Sequence, residues 1–107
     1  MPHRDPMTPA MFHILLATAD QARHGYAIMQ EVQERTDGAV DLGSGTLYRA
    51  IGRLLDEGLI APVSSADDRR RPYRITAAGR SAASAEARSL AQSVTWAKRA
   101  KLLREEQ

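Results

Sequence analysis

The feature that most constrains this chain is a stretch with glycines at both ends, residues 42–60, in which apolar side chains recur at helical spacing. They fall at positions i, i+4, i+7 and i+8, the spacing of one buried helix face. These residues are Leu47, Ile51, Leu54 and Leu55. Gly58 follows them, and its missing side chain permits the left-handed backbone that satisfies the last carbonyl groups. The stretch predicts a helix from Ser44 or Gly45 to Glu57.

The opposite face of this helix carries Tyr48, Arg49 and Arg53. Hydroxyl and guanidinium groups bind phosphates and read base edges in a DNA major groove. Two other interpretations stay open. The tyrosine ring can pack half-buried with its hydroxyl in solvent, and two arginines four residues apart also occur on ordinary solvated helix faces.

Two short β-type runs, 59–63 and 73–76, flank a charged loop and predict a β-hairpin, here called the wing. The loop ends in a run of basic residues suited to a DNA backbone. These residues are Arg69, Arg70 and Arg71. Two aspartates precede them directly, so local ion pairing is the alternative interpretation of this run.

The first third of the chain predicts two helices. Residues 1–8 are expected to form a flexible N-terminal arm, because prolines recur there and Thr8 is suited to cap the helix that follows. The first helix leads to a polar exit loop at 20–23, and the second runs from about His24 to Thr36. Their predicted core comprises Met11, Ile14, Leu15, Thr18, Ile28, Met29 and Val32, with Phe12 and Leu16 beside it.

A long C-terminal helix is predicted from Ala77 to about Glu105, with Thr76 as its cap and Gly79 as its one weak position near the start. An apolar seam runs along it with alternating spacings of four and three, the 3.5-residue period of helix-on-helix packing. The seam comprises Ala83, Ala87, Leu90, Val94, Ala97 and Lys101. A lone helix of this length leaves much of the seam in water, so we expect a homodimer.

The composition excludes several classes of protein. A chain of 107 residues predicts one small domain, and the absence of cysteine excludes disulfide frameworks and thiolate zinc sites. No long apolar run or signal peptide is found, so a cytoplasmic protein without a membrane segment is expected. The histidines, His3, His13 and His24, lack metal-ligand spacing. No catalytic set or glycine-rich phosphate loop occurs, so we expect neither an enzyme nor a cofactor.

Four motifs occur in order between His24 and Arg80. They are His24-Gly25-Tyr26, Gly45-Thr46-Leu47-Tyr48, Asp56-Glu57-Gly58-Leu59-Ile60 and the stretch from Arg70 to Arg80. Together they resemble the PadR-like family of bacterial transcriptional regulators, where they begin helix two, bound the recognition helix and form the wing. Gly43-Ser44 replaces the usual Ser-Pro of the family, and Arg49 replaces its usual proline. The last helix resembles that of the shorter branch of the family, in which one long helix makes the dimer.

The resemblance implies a mainly α fold with a small β-hairpin: a winged helix-turn-helix over 9–76 and a C-terminal dimerisation helix over 77–107. It also implies a homodimeric repressor that binds a palindromic operator in double-stranded DNA. Tyrosine hydroxyls would contact phosphates, and the helix arginines would contact bases or phosphates. The wing arginines would contact the flanking backbone or the minor groove. The implied DNA-binding residues are Tyr26, Ser44, Thr46, Tyr48, Arg49, Arg53, Arg69, Arg70 and Arg71.

Trp96, the single tryptophan, lies in the predicted dimer helix, where core or interface packing is the ordinary interpretation. Some family members bind flat aromatic compounds between subunits. The resemblance therefore implies a site for a small aromatic effector near Trp96, Phe12 and Leu15, whose occupation releases DNA. A winged-helix module for protein–protein interaction without specific DNA binding is the alternative function, although Arg49 and Arg53 argue against it.

Overall fold

A computed structural model describes residues 6–64 and 71–104, and these ranges contain four helices and a two-stranded antiparallel hairpin. The elements are α1 (Pro9–Ala17), α2 (Gly25–Arg35), α3 (Ser44–Asp56), β1 (Ile60–Pro62), β2 (Tyr73–Ile75) and α4 (Ala77–Arg99). The predicted mainly α fold with a small hairpin is confirmed. Residues 1–5 of the predicted arm, together with Arg69 and Arg70, lie outside the described residues.

Side chains that cap the helices fix where three of them begin. Thr8 Oγ1 accepts a hydrogen bond from Met11 N at the start of α1, and His24 Nδ1 accepts one from Ala27 N at the start of α2. Thr76 Oγ1 caps α4 in the same way. Each cap satisfies an amide group that has no partner within its own helix, so these boundaries follow from local sequence.

The core lies where α1, α2 and α3 meet the hairpin. Its fully buried side chains include Ile14, Leu15, Ile28, Leu47 and Leu54, all of which belong to the predicted apolar faces. Burial of each such side chain stabilises the fold by about 1.5–3 kcal/mol. Leu16, expected beside the core, is instead 49% exposed, because α1 leaves that side uncovered by the other described elements.

Arg23, in the stretch before α2, makes contacts with both α1 and the wing. Arg23 pairs with Tyr73 of the wing through two backbone hydrogen bonds, of 3.0 and 2.9 Å. Its guanidinium donates to the Ala17 carbonyl at 2.5 Å and to the Asp20 carboxylate at 2.7 Å. The hydrogen bond from Arg23 holds the pKa of Asp20 below its ordinary value. Sequence analysis predicted only an exit loop here, whereas Arg23 joins α1 to the wing.

The start of α4 packs tightly against the first strand. The Thr76 hydroxyl donates to the Gly58 carbonyl at 2.7 Å, and Thr76 N donates to the Leu59 carbonyl at 3.1 Å. A Cβ atom on Gly79 would lie 2.1 Å from that same Leu59 oxygen and 2.8 Å from Ile75 Cγ1. Gly79 is therefore required by close approach of the backbone.

The end of α4 differs from the prediction. The helix ends at Arg99, before the predicted end near Glu105. Lys101 adopts φ +64°, and Leu102 N donates to the Ala97 carbonyl at 2.9 Å. This left-handed turn satisfies the last carbonyl groups, and so it stops the helix. The prediction that Lys101 continues the helical seam was therefore wrong. No helix within 6–64 or 71–104 is long and apolar enough to cross a membrane.

Replacing Gly79 with alanine is expected to lower the free energy of unfolding by about 1–3 kcal/mol, because the new methyl group overlaps the Leu59 carbonyl and the backbone must shift. The midpoint of urea unfolding measures this change.

Gly52 provides the matched control, since it lies inside α3 and a Cβ atom there meets nothing within 4 Å. Gly52→Ala is expected to raise the free energy of unfolding by up to about 1 kcal/mol, the helix propensity difference between the two residues. Equal effects of the two substitutions would contradict the tight packing at Gly79.

Candidate nucleic-acid interface

Helix α3 separates its residues into two faces. Its apolar side chains are buried in the core, and Ser44, Thr46, Tyr48 and Arg49 are exposed at the beginning of the helix. Burial of the apolar stripe fixes the rotation of the helix, so the polar residues must point outward. Four of the predicted DNA-binding residues therefore share one exposed surface.

The first turn of α3 has no side-chain cap, because Gly43 stands at the capping position. Its amide groups lie at the positive end of the helix dipole, a position that favours anions. Ser44 and Thr46 add exposed hydroxyl groups around this turn. The beginning of α3 thus offers hydrogen-bond donors suited to phosphate oxygens.

Tyr48 lies against the start of α2. A Cβ atom built on Gly25 would be 2.6 Å from the Tyr48 hydroxyl oxygen and 3.1 Å from its Cζ. Tyr26, the next residue of α2, is 59% exposed, and its hydroxyl accepts a hydrogen bond from Gln30 Nε2 at 3.2 Å. Tyr48 therefore lies against the residue that precedes Tyr26 in the first turn of α2. The interpretation of Tyr48 as half-buried also holds in part, since the tyrosine is 56% exposed.

The two arginines of α3 differ in their surroundings. Arg49 is exposed, and its Nη1 lies 3.9 Å from where a Cβ atom of Gly45 would stand. Arg53 donates from Nε to a Glu57 carboxylate oxygen at 2.9 Å and from Nη2 to the Pro6 carbonyl at 3.4 Å. Its side chain is only 28% exposed. Arg49 presents its guanidinium to solvent, whereas Arg53 holds the end of α3 and the chain before α1.

The wing carries a further cation that sequence analysis did not single out. The strands pair in the register Ile60↔Ile75, Ala61↔Arg74 and Pro62↔Tyr73. Ile75 is buried and Arg74 is exposed, as is Arg71 at the edge of the described hairpin. Alternation along Tyr73-Arg74-Ile75 was the signal that could have identified Arg74 as an outward-facing residue.

The predicted effector residues do not meet within one chain. Leu15 is fully buried and Phe12 nearly so, whereas Trp96 is 76% exposed near the end of α4. Trp96 lines an open cleft of about 400 Å³ with Ala91, Gln92, Thr95 and Arg99. Neither Phe12 nor Leu15 lines this cleft. Within the described residues, no group of three acidic or histidine side chains is arranged to hold a metal ion.

Comparisons with known proteins agree with this architecture. A family model described as "Transcriptional regulator PadR-like family" matches residues 14–85. The "Uncharacterized 37.1 kDa protein in transposon TN4556" of Streptomyces fradiae is 37% identical over 83 residues, which cover 78% of this chain. The chain spans only 23% of the length of that curated relative.

Solved structures share the fold. A transcriptional regulator from Clostridium thermocellum superposes with a TM-score of 0.74 at 24% identity, covering 84% of this chain and 87% of that one. A PadR family transcription regulator from Clostridium difficile gives a TM-score of 0.73 at 21% identity, covering 86% and 97%. RosR of H. salinarum superposes with a TM-score of 0.62 at 26% identity, covering 96% of this chain and 83% of that one.

The matched residues 14–85 include α2, α3, the wing and the tight start of α4. They therefore include the whole surface formed by the beginnings of α2 and α3. The family consists of transcriptional regulators that bind DNA, and its members are not enzymes. This chain belongs to the PadR-like family of transcriptional regulators.

Proposed function

We propose that this protein is a repressor that binds a palindromic operator as a homodimer and is released by a small aromatic effector. The observation that carries the proposal is the exposed face of α3, which presents Tyr48 and Arg49 while the opposite face is held in the core. Tyr48 also lies against Gly25, the residue before Tyr26. A helix fixed in this way, with donor side chains outward, suits insertion into a major groove. Such a regulator acts on chromosomal DNA, and we therefore place it in the cytoplasm.

The proposed dimer rests on the exposed apolar face of α4. Ala83 is partly buried against the core of its own domain, and further along the same face Leu90 and Val94 are 45% and 43% exposed. These positions repeat at the 3.5-residue period of paired helices. A second copy packed on this face would remove the two larger side chains from water.

The dimer would present two α3 helices to one side of a duplex. Recognition helices about 34 Å apart would meet two half-sites in successive major grooves. The phosphate contacts would come from the two tyrosines, from Arg49 and from the wing cations. Arg53 would add a contact if its hydrogen bond to Glu57 breaks. About six phosphate contacts per dimer correspond to a slope of about −5 in a plot of log affinity against log salt concentration.

Replacing Arg49 with alanine is expected to lower affinity for the operator by at least about tenfold, because each dimer loses two guanidinium contacts to bases or phosphates. Selection of bound sequences from random duplexes identifies the operator, and titrations at several salt concentrations then measure affinity and slope. If the lost contacts are to phosphates, the slope becomes shallower by about 0.9 for each.

Arg88→Ala is the matched control, since it removes an equally charged, exposed side chain from α4. It should leave the operator affinity unchanged. Arg53→Ala should reduce stability as well as affinity, because the contacts to Glu57 and Pro6 are lost. A wild-type selection that returns no preferred sequence would contradict the proposal and favour the protein-interaction module.

Replacing Val94 with glutamate is expected to shift the protein from dimer to monomer, because the dimer would bury an unpaired carboxylate. The mass measured by light scattering at micromolar concentration reports this shift. Ala85→Glu, which adds the same charge at an exposed position of α4 outside both the Leu90 and Val94 face and the Trp96 cleft, should remain dimeric. Wild-type protein that stays a single copy even when DNA is added would refute the dimer.

A planar aromatic compound bound near Trp96 is expected to quench its fluorescence and to weaken operator binding. The cleft beside Trp96 is open in one chain, and we propose that a second copy closes it and brings Phe12 and Leu15 nearer the bound compound. Titration with and without operator measures the coupling, which must be equal in both directions. Trp96→Ala should abolish the effect of the compound on operator binding. Quenching that is the same with and without operator DNA would rule out the effector role.

A further inference from the structure

We infer that Gly25 is a positioning residue for DNA binding, because its missing side chain lets the Tyr48 phenol lie against the start of α2 and thereby sets where the hydroxyl meets a backbone phosphate. The inference rests on the proposed function and deepens it. Gly25 itself has no side chain that could contact DNA. It acts through Tyr48, a residue of the next helix in the chain.

The distances show how closely the two residues fit. A Cβ atom on Gly25 would approach the Tyr48 hydroxyl oxygen to 2.6 Å, its Cζ to 3.1 Å and its Cε1 to 3.3 Å. All three contacts are shorter than ordinary van der Waals contact. The outer half of the ring would therefore have to move by about 1 Å to admit even the smallest side chain.

The direction of that movement is restricted. Tyr48 stands on a helix, where the rotamer that points into the preceding turn is rarely available. Its backbone is fixed by its neighbour Leu47, which is fully buried in the core. A side chain at position 25 therefore turns the phenol away from α2 rather than shifting α3.

Because Tyr48 is exposed, we expect the protein to remain folded when a side chain is introduced at position 25. The atoms that a new methyl group meets belong to the outer end of a half-exposed side chain. At Gly79, by contrast, the nearest atom is the Leu59 backbone carbonyl oxygen. The substitution at Gly25 should therefore alter the position of the hydroxyl without loss of stability.

The place where the hydroxyl is held suits a phosphate. The first turn of α2 lies beside it, with its amide groups at the positive end of the helix dipole. His24 Nδ1 accepts a hydrogen bond from one of these groups, Ala27 N. Tyr26 adds a second hydroxyl from the same turn, held by Gln30. A phosphate approaching this point would meet donors from two helices at once, which fixes the register of α3 on the duplex.

The test is a double-mutant cycle on the full-length chain with an operator obtained by selection. Gly25→Ala is expected to lower affinity about tenfold, since two misplaced hydroxyl groups per dimer lose their phosphate contacts. Its salt slope should stay that of the wild type, because no cation is removed. In a Tyr48→Ala background, the same glycine substitution should cost nothing further.

Direct observation of the ring accompanies the binding data. In protein labelled with 3-fluorotyrosine, the ¹⁹F resonance of Tyr48, assigned with Tyr48→Phe, should shift in Gly25→Ala. It should not shift in Gly52→Ala, whose new methyl group meets nothing within 4 Å. Urea midpoints confirm that both variants remain folded.

Three results would overturn the inference: unchanged affinity in Gly25→Ala, an equal loss in the Tyr48→Ala background, or an unmoved Tyr48 resonance. Failure of the proposed function gives a different result, in which the wild-type chain binds no preferred duplex. In that case the shift of the Tyr48 resonance alone decides whether Gly25 positions the ring.

Discussion

Burial of the apolar stripe of α3 is the constraint on which the proposed DNA-facing surface depends. Leu47, Ile51 and Leu54 are almost completely buried, and each contributes about 1.5–3 kcal/mol. Rotation of the helix by a quarter turn would expose them and forfeit most of that energy. The outward direction of Tyr48 and Arg49 is therefore a consequence of core packing, and substitutions on the exposed face should alter binding without altering the fold.

Contacts around Gly58 and Thr76 connect the end of α3 to the proposed dimer helix. Gly58 ends α3 with φ +72°, and its carbonyl accepts the Thr76 hydroxyl that also caps α4. The adjacent Leu59 carbonyl accepts Thr76 N and lies against Gly79. Because these contacts are short and involve backbone atoms, we expect a tilt of α4 to move the end of α3. For the proposed effector between subunits, that coupling would provide a physical route to change the separation of two recognition helices.

Local pattern was sufficient to predict the four helices and the two strands, together with the Thr8 and Thr76 caps and the stop at Gly58, because these features act through neighbours in sequence. It did not predict the His24 cap or the end of α4 at Arg99. The remaining features depend on contacts between distant residues. In the sequence, Gly79 is only a weak helix position, and its requirement becomes clear from the Leu59 carbonyl beside it. Likewise, Arg23 is only a loop residue in the sequence, whereas in the structure it pairs with Tyr73. Of the candidate site, the exposed residues of α3 were predictable from periodicity. The contact between Tyr48 and Gly25 was not, because it joins two helices.

The unequal surroundings of the two α3 arginines bear on how specificity would arise. Arg53 would have to break its contact with Glu57 to bind DNA, so part of its interaction energy would already be used within the protein. Arg49 forms no ion pair with the described part of the chain, and it stands where the family usually has proline, a residue without charge. Each half-site would therefore meet one extra cation near the beginning of the recognition helix. Base preference at that position should follow Arg49 in this chain, and it cannot be transferred from relatives that have proline there.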